Sequence, residues 1–264
     1  MSSADLDLSG DSPRAPSYHV PALEKGLDIL ECLAAQGVPL TQAQIARSIG
    51  RGANELFRML TTLERRGYIR RDPLTGAYGL TLRLFELSHT HTPLQGLLRA
   101  AAAPMRALTE ATRESCHLSV IEREHLVVLA QEESPARIRL SVEVGGAFPL
   151  LHTVSGRVLL AYLDEQARAD LLEREGEHAR LSAGEQALFR ERLLLIRSRG
   201  YDASVSETTD GVSDLAVLVG SPTSRVRAAL TIAALTRRRE TFVEEMLPAL
   251  RRCADEIARA AGII

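Results

Sequence analysis

One predicted helix carries side chains whose types suit the recognition of DNA bases. Between residues 53 and 66, Leu56, Leu60 and Leu63 share one face at helical spacing. Asparagine suits adenine, glutamate accepts from the amino group of cytosine, and arginine suits guanine or phosphate. A helix that reads the major groove is therefore predicted, with these side chains turned to solvent: Asn54, Glu55, Arg58, Thr61 and Thr62.

The elements around this helix predict a winged helix-turn-helix over residues 21–82. Thr41, with Gln44 three residues later, predicts the capped start of a second helix, and residues 50–52 form the turn before the third. Two short β-prone runs, residues 68–71 and 77–82, flank an Asp-Pro and a glycine, which predicts a hairpin. A first helix is predicted by apolar residues at helical spacing: Leu23, Leu27, Leu30 and Ala34.

Further arginines flank the predicted recognition helix. Arg51 stands at its beginning, and Arg70 and Arg71 open the hairpin, where contacts with DNA phosphates are expected. Exposed arginines are commonly only solvated, and a winged helix can also dock another protein. The pattern therefore leaves DNA binding and protein docking as alternatives.

Composition indicates a soluble protein of two domains. The 264 residues are 45% hydrophobic and 25% charged, with a net charge of -2. No apolar run is long enough to span a bilayer, and the polar N-terminus lacks the pattern of a signal peptide. We expect residues 1–20 to be a disordered tail and the protein to be cytoplasmic. The cysteines are three and far apart, which argues against a disulfide framework.

The histidines and cysteines give weak evidence for a metal. Adjacent residues of a strand face opposite sides, so Cys116 and His117 do not easily share one ion. We expect no metal site, although three histidines could still converge in space: His117, His125 and His152.

Signals for catalysis and cofactors are also weak. Ser155-Gly156 resembles part of a nucleophile elbow, but Thr153 stands where the first glycine of that motif belongs. The sequence has neither a Walker loop nor a dinucleotide-binding glycine motif, so we expect no cofactor. A small-substrate hydrolase with an accessory winged helix remains the alternative from another class.

Beyond the hairpin the pattern predicts a linker and a mixed domain. Residues 80–88 are apolar at helical spacing, Pro93 breaks that helix, and residues 94–112 form another. We assign residues 83–97 to a linker region and residues 98–264 to one α+β domain. Its predicted strands are 116–121, 126–130, 137–142, 200–207, 212–219 and 225–235. Its predicted helices are 154–163, 164–174, 182–199 and 240–261.

Several of these segments resemble the IclR family of transcription regulators. The similar stretches are PALEKGLDIL (21–30), PLT (39–41), ELFRML (55–60), LERRGYI (63–69) and YGLTLRLFEL (78–87). The resemblance implies that a linker helix joins the winged helix to a GAF-like effector-binding domain with a curved antiparallel sheet. It also implies a non-enzymatic protein that binds a double-stranded DNA operator and a small-molecule effector as a homodimer or homotetramer.

Two departures from the family pattern concern the recognition helix. The family often has a basic residue and then Ser-Thr where this chain has Ala53-Asn54-Glu55, and it often has tyrosine where Phe57 stands. The operator sequence of relatives therefore does not transfer to this chain.

The resemblance places the effector near residues 145–157. Glycines there allow close approach to a ligand, and the following helix start favours an anion or an oxygen-rich group. The backbone amides of Val154 and Ser155 match positions that hold the effector, although ordinary core packing is the alternative for the apolar positions. The matching wall positions are Leu140, Phe148, Val212, Ser204, Asp214, Thr231 and Ala233.

Asp214 departs from the cysteine that many relatives carry. An ionised aspartate would repel a ligand carboxylate, so a ligand beside it should offer hydroxyl or amine donors. The alternative is that Asp214 is exposed or pairs with an arginine. We expect a ligand-responsive regulator of a catabolic operon that senses a small hydroxylated or carboxylate metabolite.

Overall fold

The computed structural model describes residues 20–89, 92–205, 207, 209–224, 226–235 and 239–263. The chain divides into two compact units between residues 90 and 91. Each unit has a hydrophobic core of its own. The predicted tail, apart from Val20, lies outside the described residues.

The first unit is a winged helix-turn-helix. Its helices are α1 (Pro21–Gln36), α2 (Gln42–Ser48), α3 (Ala53–Arg65) and α4 (Arg83–His89). Strands β1 (Ile69–Arg71) and β2 (Tyr78–Leu80) pair antiparallel, and Leu40 forms a bridge with Tyr78. Thr41 and Gln44 form the capping box that the sequence predicts for α2. The core is built from these fully buried side chains: Ile29, Ile45, Leu56, Leu60 and Ile69.

The first helix predicted from Leu23, Leu27, Leu30 and Ala34 is present as α1, but these residues are not its most buried positions. Leu23 and Leu27 are 61% and 48% exposed, Leu30 is half-buried and Ala34 is exposed. The helix turns Ile29 and Leu33 into the core instead. Two rows of apolar residues run along this helix, and packing against α3, which spacing does not reveal, buries the row that contains Ile29 and Leu33.

The helix predicted from residue 80 begins three residues later. Leu80 belongs to β2, where it pairs with Ile69. The Thr81 hydroxyl oxygen then accepts a hydrogen bond from the Arg83 amide at 3.1 Å. Thr81 therefore lies at the boundary between β2 and α4, and its side chain accepts a hydrogen bond from the first residue of the helix.

The second unit combines a six-stranded antiparallel sheet with helices. The strands are β3 (Ser115–Glu122), β4 (His125–Glu132), β5 (Ala147–Phe148), β6 (Asp202–Val205), β7 (Val212–Val219) and β8 (Ala228–Leu235). They lie in the order β5-β4-β3-β8-β7-β6 and form a curved sheet. The helices are α5 (Thr92–Thr112), α6 (Val154–Ala161), α7 (Glu165–Glu175), α8 (Ala183–Arg199) and α9 (Arg239–Ala261), with a 3-10 turn at His178–Arg180.

The two faces of this sheet have different partners. Alternate residues such as Leu118, Leu230 and Ile232 pack in one core with residues of α5 and α9. The other face belongs to a second core with α6 and α8, to which Ala216 and Ala229 contribute. Because side chains alternate along a strand, the odd-numbered positions of β3 and β8 face the α6 side.

The strand predicted over residues 137–142 is wrong. This segment is irregular, and Ile138 in it is 76% exposed. Its backbone forms hydrogen bonds with side chains and not with a neighbouring strand. The Ser115 hydroxyl donates to the Leu140 carbonyl at 2.7 Å, and the Val142 amide donates to the Gln131 side chain. Alternating polar and apolar residues therefore arise here without a neighbouring strand.

Candidate functional site

The first candidate site is the exposed face of α3. Leu56 and Leu60 are fully buried beneath it. The sequence-predicted base-reading residues are all exposed on the other side: Asn54, Glu55, Arg58, Thr61 and Thr62. The helix thus presents a polar surface with a hydrophobic anchor, as a major-groove reader requires.

Local bonds orient three of these side chains. Lys25 of α1 donates to one Glu55 oxygen at 2.8 Å, and this bond lowers the pKa of Glu55 below its ordinary value. The hydroxyls of Thr61 and Thr62 donate to the carbonyls of Phe57 and Arg58 at 2.9 and 2.8 Å. Their oxygens therefore offer acceptors, rather than donors, to solvent or DNA.

The arginines predicted around α3 are exposed at both of their locations. Arg51 precedes α3, and Arg70 and Arg71 lie on β1. Arg71 lies 5.7 Å from the centre of the Tyr78 ring, close enough for a cation–π contact that fixes its direction. In the turn, the Asp72 carboxylate accepts from the Leu74 and Thr75 amides at 2.9 and 2.8 Å, which shapes the wing.

The second candidate site is a cavity of about 190 Å³ between the sheet and the start of α6. The lining mixes apolar walls with a few polar groups, as small-molecule sites do. The structure brings most of the residues expected at an effector site into this lining: Leu140, Phe148, Val154, Ser155, Val212, Asp214, Thr231 and Ala233.

Ser204 lies outside the lining. It is fully buried on β6, opposite Asp214 on β7, and its hydroxyl has no partner among the described residues. Sequence reasoning also missed seven lining residues: His117, Leu126, Val128, Ser141, Val142, Thr153 and Thr209. The available signal for His117 was strand alternation, since it shares a face of the sheet with Thr231.

The start of α6 forms one wall of the cavity. The Thr153 hydroxyl oxygen accepts from the Gly156 amide at 3.2 Å and its proton goes to the Pro149 carbonyl at 2.8 Å. Thr153 therefore caps the helix and ties it to the preceding loop. The amides of Val154 and Ser155 belong to the first turn, where backbone donors have no partner within the helix. They can serve an oxygen atom of a ligand.

Burial controls the charge of the two titratable groups in the lining. Burial raises the pKa of Asp214 to about 6, against the opposing effect of the nearby Arg157 guanidinium. Burial lowers the pKa of His117 to about 4. Near pH 7 the cavity therefore contains a neutral imidazole and a carboxylate that is mostly ionised.

A buried ion network lies on the same helix and was missed by sequence reasoning. Arg157 of α6 donates to Asp202 at 2.7 Å, to the Leu151 carbonyl at 3.1 Å and to Glu207 at 3.1 Å. Asp202 is fully buried and also accepts from Arg199 at 2.8 Å and Arg192 at 3.4 Å. This network joins α6, β6 and α8 behind the cavity.

The three histidines considered for a metal occupy different environments. His117 lines the cavity, His125 begins β4, and His152 contacts Glu177 at 2.7 Å. No cluster of three metal-ligating side chains occurs in the part of the chain that the structure describes. None of its described helices is long and apolar enough to cross a bilayer.

A winged helix followed by a unit with a curved sheet and a ligand-sized cavity defines a class of DNA-binding transcription regulator. Comparison with known proteins agrees. The IclR helix-turn-helix domain model matches residues 22–73, and the IclR C-terminal domain model of bacterial transcriptional regulators matches residues 90–259. The chain therefore belongs to the IclR family of DNA-binding transcription regulators.

Individual relatives support this assignment along the whole chain. The HTH-type transcriptional regulator KdgR of Escherichia coli is 28% identical, over 99% of this chain and 98% of its own length. The glycerol operon regulatory protein of Streptomyces coelicolor is 28% identical, over 92% of this chain and 97% of its own. Such regulators are not enzymes, so the hydrolase alternative is not retained.

A solved structure shows the same fold. An IclR homolog from Microbacterium hydrocarbonoxydans, complexed with 4-hydroxybenzoate, superposes with a TM-score of 0.75 at 21% identity. The match covers 91% of this chain and 99% of the homolog. The predicted fold class, a winged helix and a GAF-like domain with a curved antiparallel sheet, is confirmed.

Proposed function

We propose that a small metabolite bound in the cavity of the second unit changes the affinity of the winged helix for its operator. The observation that carries this proposal is the composition of the cavity lining, which is mostly apolar but contains the polar side chains of Asp214 and Thr231. Beside them lies the first turn of α6, whose backbone amides are available to a ligand. Ligands shift an equilibrium only when they bind its two states with different affinity, so the cavity must differ between DNA-bound and free forms.

The proposed ligand is a small hydroxylated or carboxylate metabolite, and the proposed target is a catabolic operon. A relative that regulates a glycerol operon and a homolog complexed with 4-hydroxybenzoate support a small oxygen-bearing ligand. We assign the ligand contacts to the eight lining residues predicted from sequence, and we place Ser204 beside Asp214 on the neighbouring strand, outside the lining. The proposed setting is the cytoplasm.

The proposed DNA contacts divide between base reading and phosphate binding. Asn54, Glu55 and Arg58 lie in the first half of α3, which enters the major groove deepest in this motif. Thr61 and Thr62 follow on the same helix, and Arg51, Arg70 and Arg71 flank it. A homodimer or homotetramer would present two such helices to two operator half-sites. We propose the domain bounds expected from sequence, 21–82 and 98–264, with α4 in the linker region (83–97) of the chain between them.

Arg58→Ala is expected to weaken operator binding about 5- to 150-fold, because one good arginine contact with DNA contributes about 1–3 kcal/mol. Fluorescence anisotropy of a duplex that the chain selects from a random pool measures this change. Arg66→Ala is the matched control, since Arg66 is also an exposed arginine and directly follows the last residue of the same helix.

The control should change affinity by no more than about twofold, as expected for a surface substitution away from the interface. Equal affinities for wild type and Arg58→Ala would remove α3 from the proposed interface. A large loss in both variants would show that general positive charge, and not the first half of α3, drives binding.

A further inference from the structure

His117 lies on the sheet side of the cavity together with Thr231 and Asp214, and we call these three residues the cavity floor. It lies on β3 directly opposite Thr231 of β8, and Asp214 lies on β7, the next strand along the sheet. All three line the cavity. The His117 side chain is buried, and no hydrogen bond to its ring occurs within the described residues. Because His117 lines the cavity, a polar group bound there can pair with its ring.

Thr231 gives independent evidence for a missing partner. It is only 1% exposed, and its hydroxyl oxygen has no hydrogen-bond partner among the described residues. Buried hydroxyls are nearly always bonded in folded proteins. The Thr231 hydroxyl and the His117 ring are therefore adjacent polar groups that have no hydrogen-bond partner among the described residues, and both face the same cavity.

The charge of the lining excludes one class of ligand. Among the described lining residues none is lysine or arginine, and Asp214 is the only acidic group. The nearest guanidinium that acts on Asp214, Arg157, is bonded to Asp202, Glu207 and a backbone carbonyl. A ligand carboxylate would therefore meet an ionised aspartate without a free cation to offset the repulsion.

We infer that the cavity selects a neutral polyhydroxylated metabolite, and that His117 is a specificity-determining contact beside Thr231 and Asp214. The floor offers both donors and acceptors: a carboxylate that accepts, a hydroxyl that does both, and a neutral imidazole that donates from one nitrogen and accepts at the other. A ligand hydroxyl also donates and accepts, so it matches each of these groups. A carboxylate only accepts and would be repelled by Asp214. An ammonium group would be attracted to Asp214, but it only donates and leaves the donors of Thr231 and His117 without an acceptor.

This inference rests on the proposed function and sharpens its ligand class. The pKa values of the floor agree with it: burial raises that of Asp214 to about 6 and lowers that of His117 to about 4. The charged groups that act on Asp214 are Arg157 and Glu207, and burial alone shifts His117. Among the described lining residues, no cation pairs with the Asp214 carboxylate.

The test is a binding panel with matched probes on the full chain. The neutral probes are glycerol, xylitol, D-xylose and D-glucose, the acids are glycerate, xylonate and gluconate, and the amines are serinol and glucosamine. Calorimetry and thermal shift at pH 7.5 rank them. The best neutral probe is expected to bind at least about tenfold more tightly than its matched acid, the effect of one unpaired buried group, and more tightly than its matched amine.

Variants separate a ligand contact from a structural role. His117→Phe, which keeps a buried ring, is expected to lose about tenfold in affinity for that neutral probe, and His117→Gln to recover part of it. Thr231→Val removes an unpartnered hydroxyl with little change of shape. We expect it to raise the melting temperature while lowering affinity, a combination that damage to the fold would not produce.

Ser119→Ala is the matched control. Ser119 lies on the same strand and face as His117, is fully buried with an unpartnered hydroxyl, and does not line the cavity. It should leave the affinity unchanged. A loss in Ser119→Ala equal to that in His117→Phe would overturn the assignment of His117.

Three further outcomes distinguish the inference from the function on which it rests. If an acid or an amine binds most tightly, and the cavity-filling Ala233→Leu abolishes its binding, the ligand class is wrong while the cavity remains a ligand site. If no probe binds at millimolar concentration, the ligand class is overturned as well. If, in addition, Ala233→Leu leaves every response of the protein unchanged, the proposed function also fails.

Discussion

Asp202→Asn is expected to lower the free energy of unfolding of the second unit by about 3–5 kcal/mol, the usual cost of removing one partner from a buried ion pair. Asp202 is fully buried and accepts hydrogen bonds from Arg157, Arg192 and Arg199. Asparagine keeps the volume and removes the charge, so Arg157 would remain buried with only Glu207 as its acidic partner. Urea denaturation of the full chain, followed by circular dichroism at pH 7, measures the loss.

A surface pair provides the control for this measurement. Arg139 and Glu133 also form an ion pair, but their side chains are 48% and 43% exposed. Water screens such a pair, so Glu133→Gln should shift the urea midpoint far less than Asp202→Asn. Equal midpoints for the two variants would mean that the buried network does not hold α6 against the sheet.

Gly156→Ala is expected to destabilise the second unit by about 3 kcal/mol or more, at the upper end of overpacking effects. A Cβ atom on Gly156 would lie 2.2 Å from the Leu150 carbonyl oxygen and 2.7 Å from the Thr153 hydroxyl oxygen. The first of these atoms belongs to the backbone and cannot turn away. The start of α6 must then move, and with it the amides of Val154 and Ser155 that line the cavity.

Gly184→Ala is the matched control, because Gly184 also lies in the first turn of a helix and a Cβ atom there meets nothing within 4 Å. Alanine loses less conformational freedom than glycine on folding, so this variant should gain about 0.5–1 kcal/mol. Thermal denaturation of both variants gives the comparison. A Gly156→Ala protein as stable as Gly184→Ala would contradict the close packing of α6 on residue 150.

Sequence signals that act over a few residues predicted the local structure well. The Thr41-Gln44 capping box, the leucines of α3 and the hairpin of the wing each depend on neighbours in the chain, and the structure contains all three. Most of the cavity lining that we propose for the effector was also expected, but through resemblance to a family. Eight of the nine positions carried over lie in the lining of one cavity, and Ser204 does not.

The features that escaped prediction depend on contacts between distant residues. Arg157 and Asp202 are 45 positions apart, and neither residue type suggests a fully buried pair. The alternation of residues 137–142 predicted a strand, but Ser115 and Gln131 bind that backbone from elsewhere in the unit. The position of His117 in the cavity lining follows from the strand register, which places it opposite Thr231. Tertiary packing decides each of these cases.

The central claim is that occupancy of the cavity controls DNA binding. The most direct test titrates the full chain onto its selected duplex with and without a saturating concentration of the best-binding neutral probe, for wild type and Ala233→Leu. We predict a change in the midpoint of about 5- to 150-fold for wild type, the usual range of coupling between two sites, and none for Ala233→Leu. An unchanged wild-type midpoint, or the same change in both proteins, would contradict the claim.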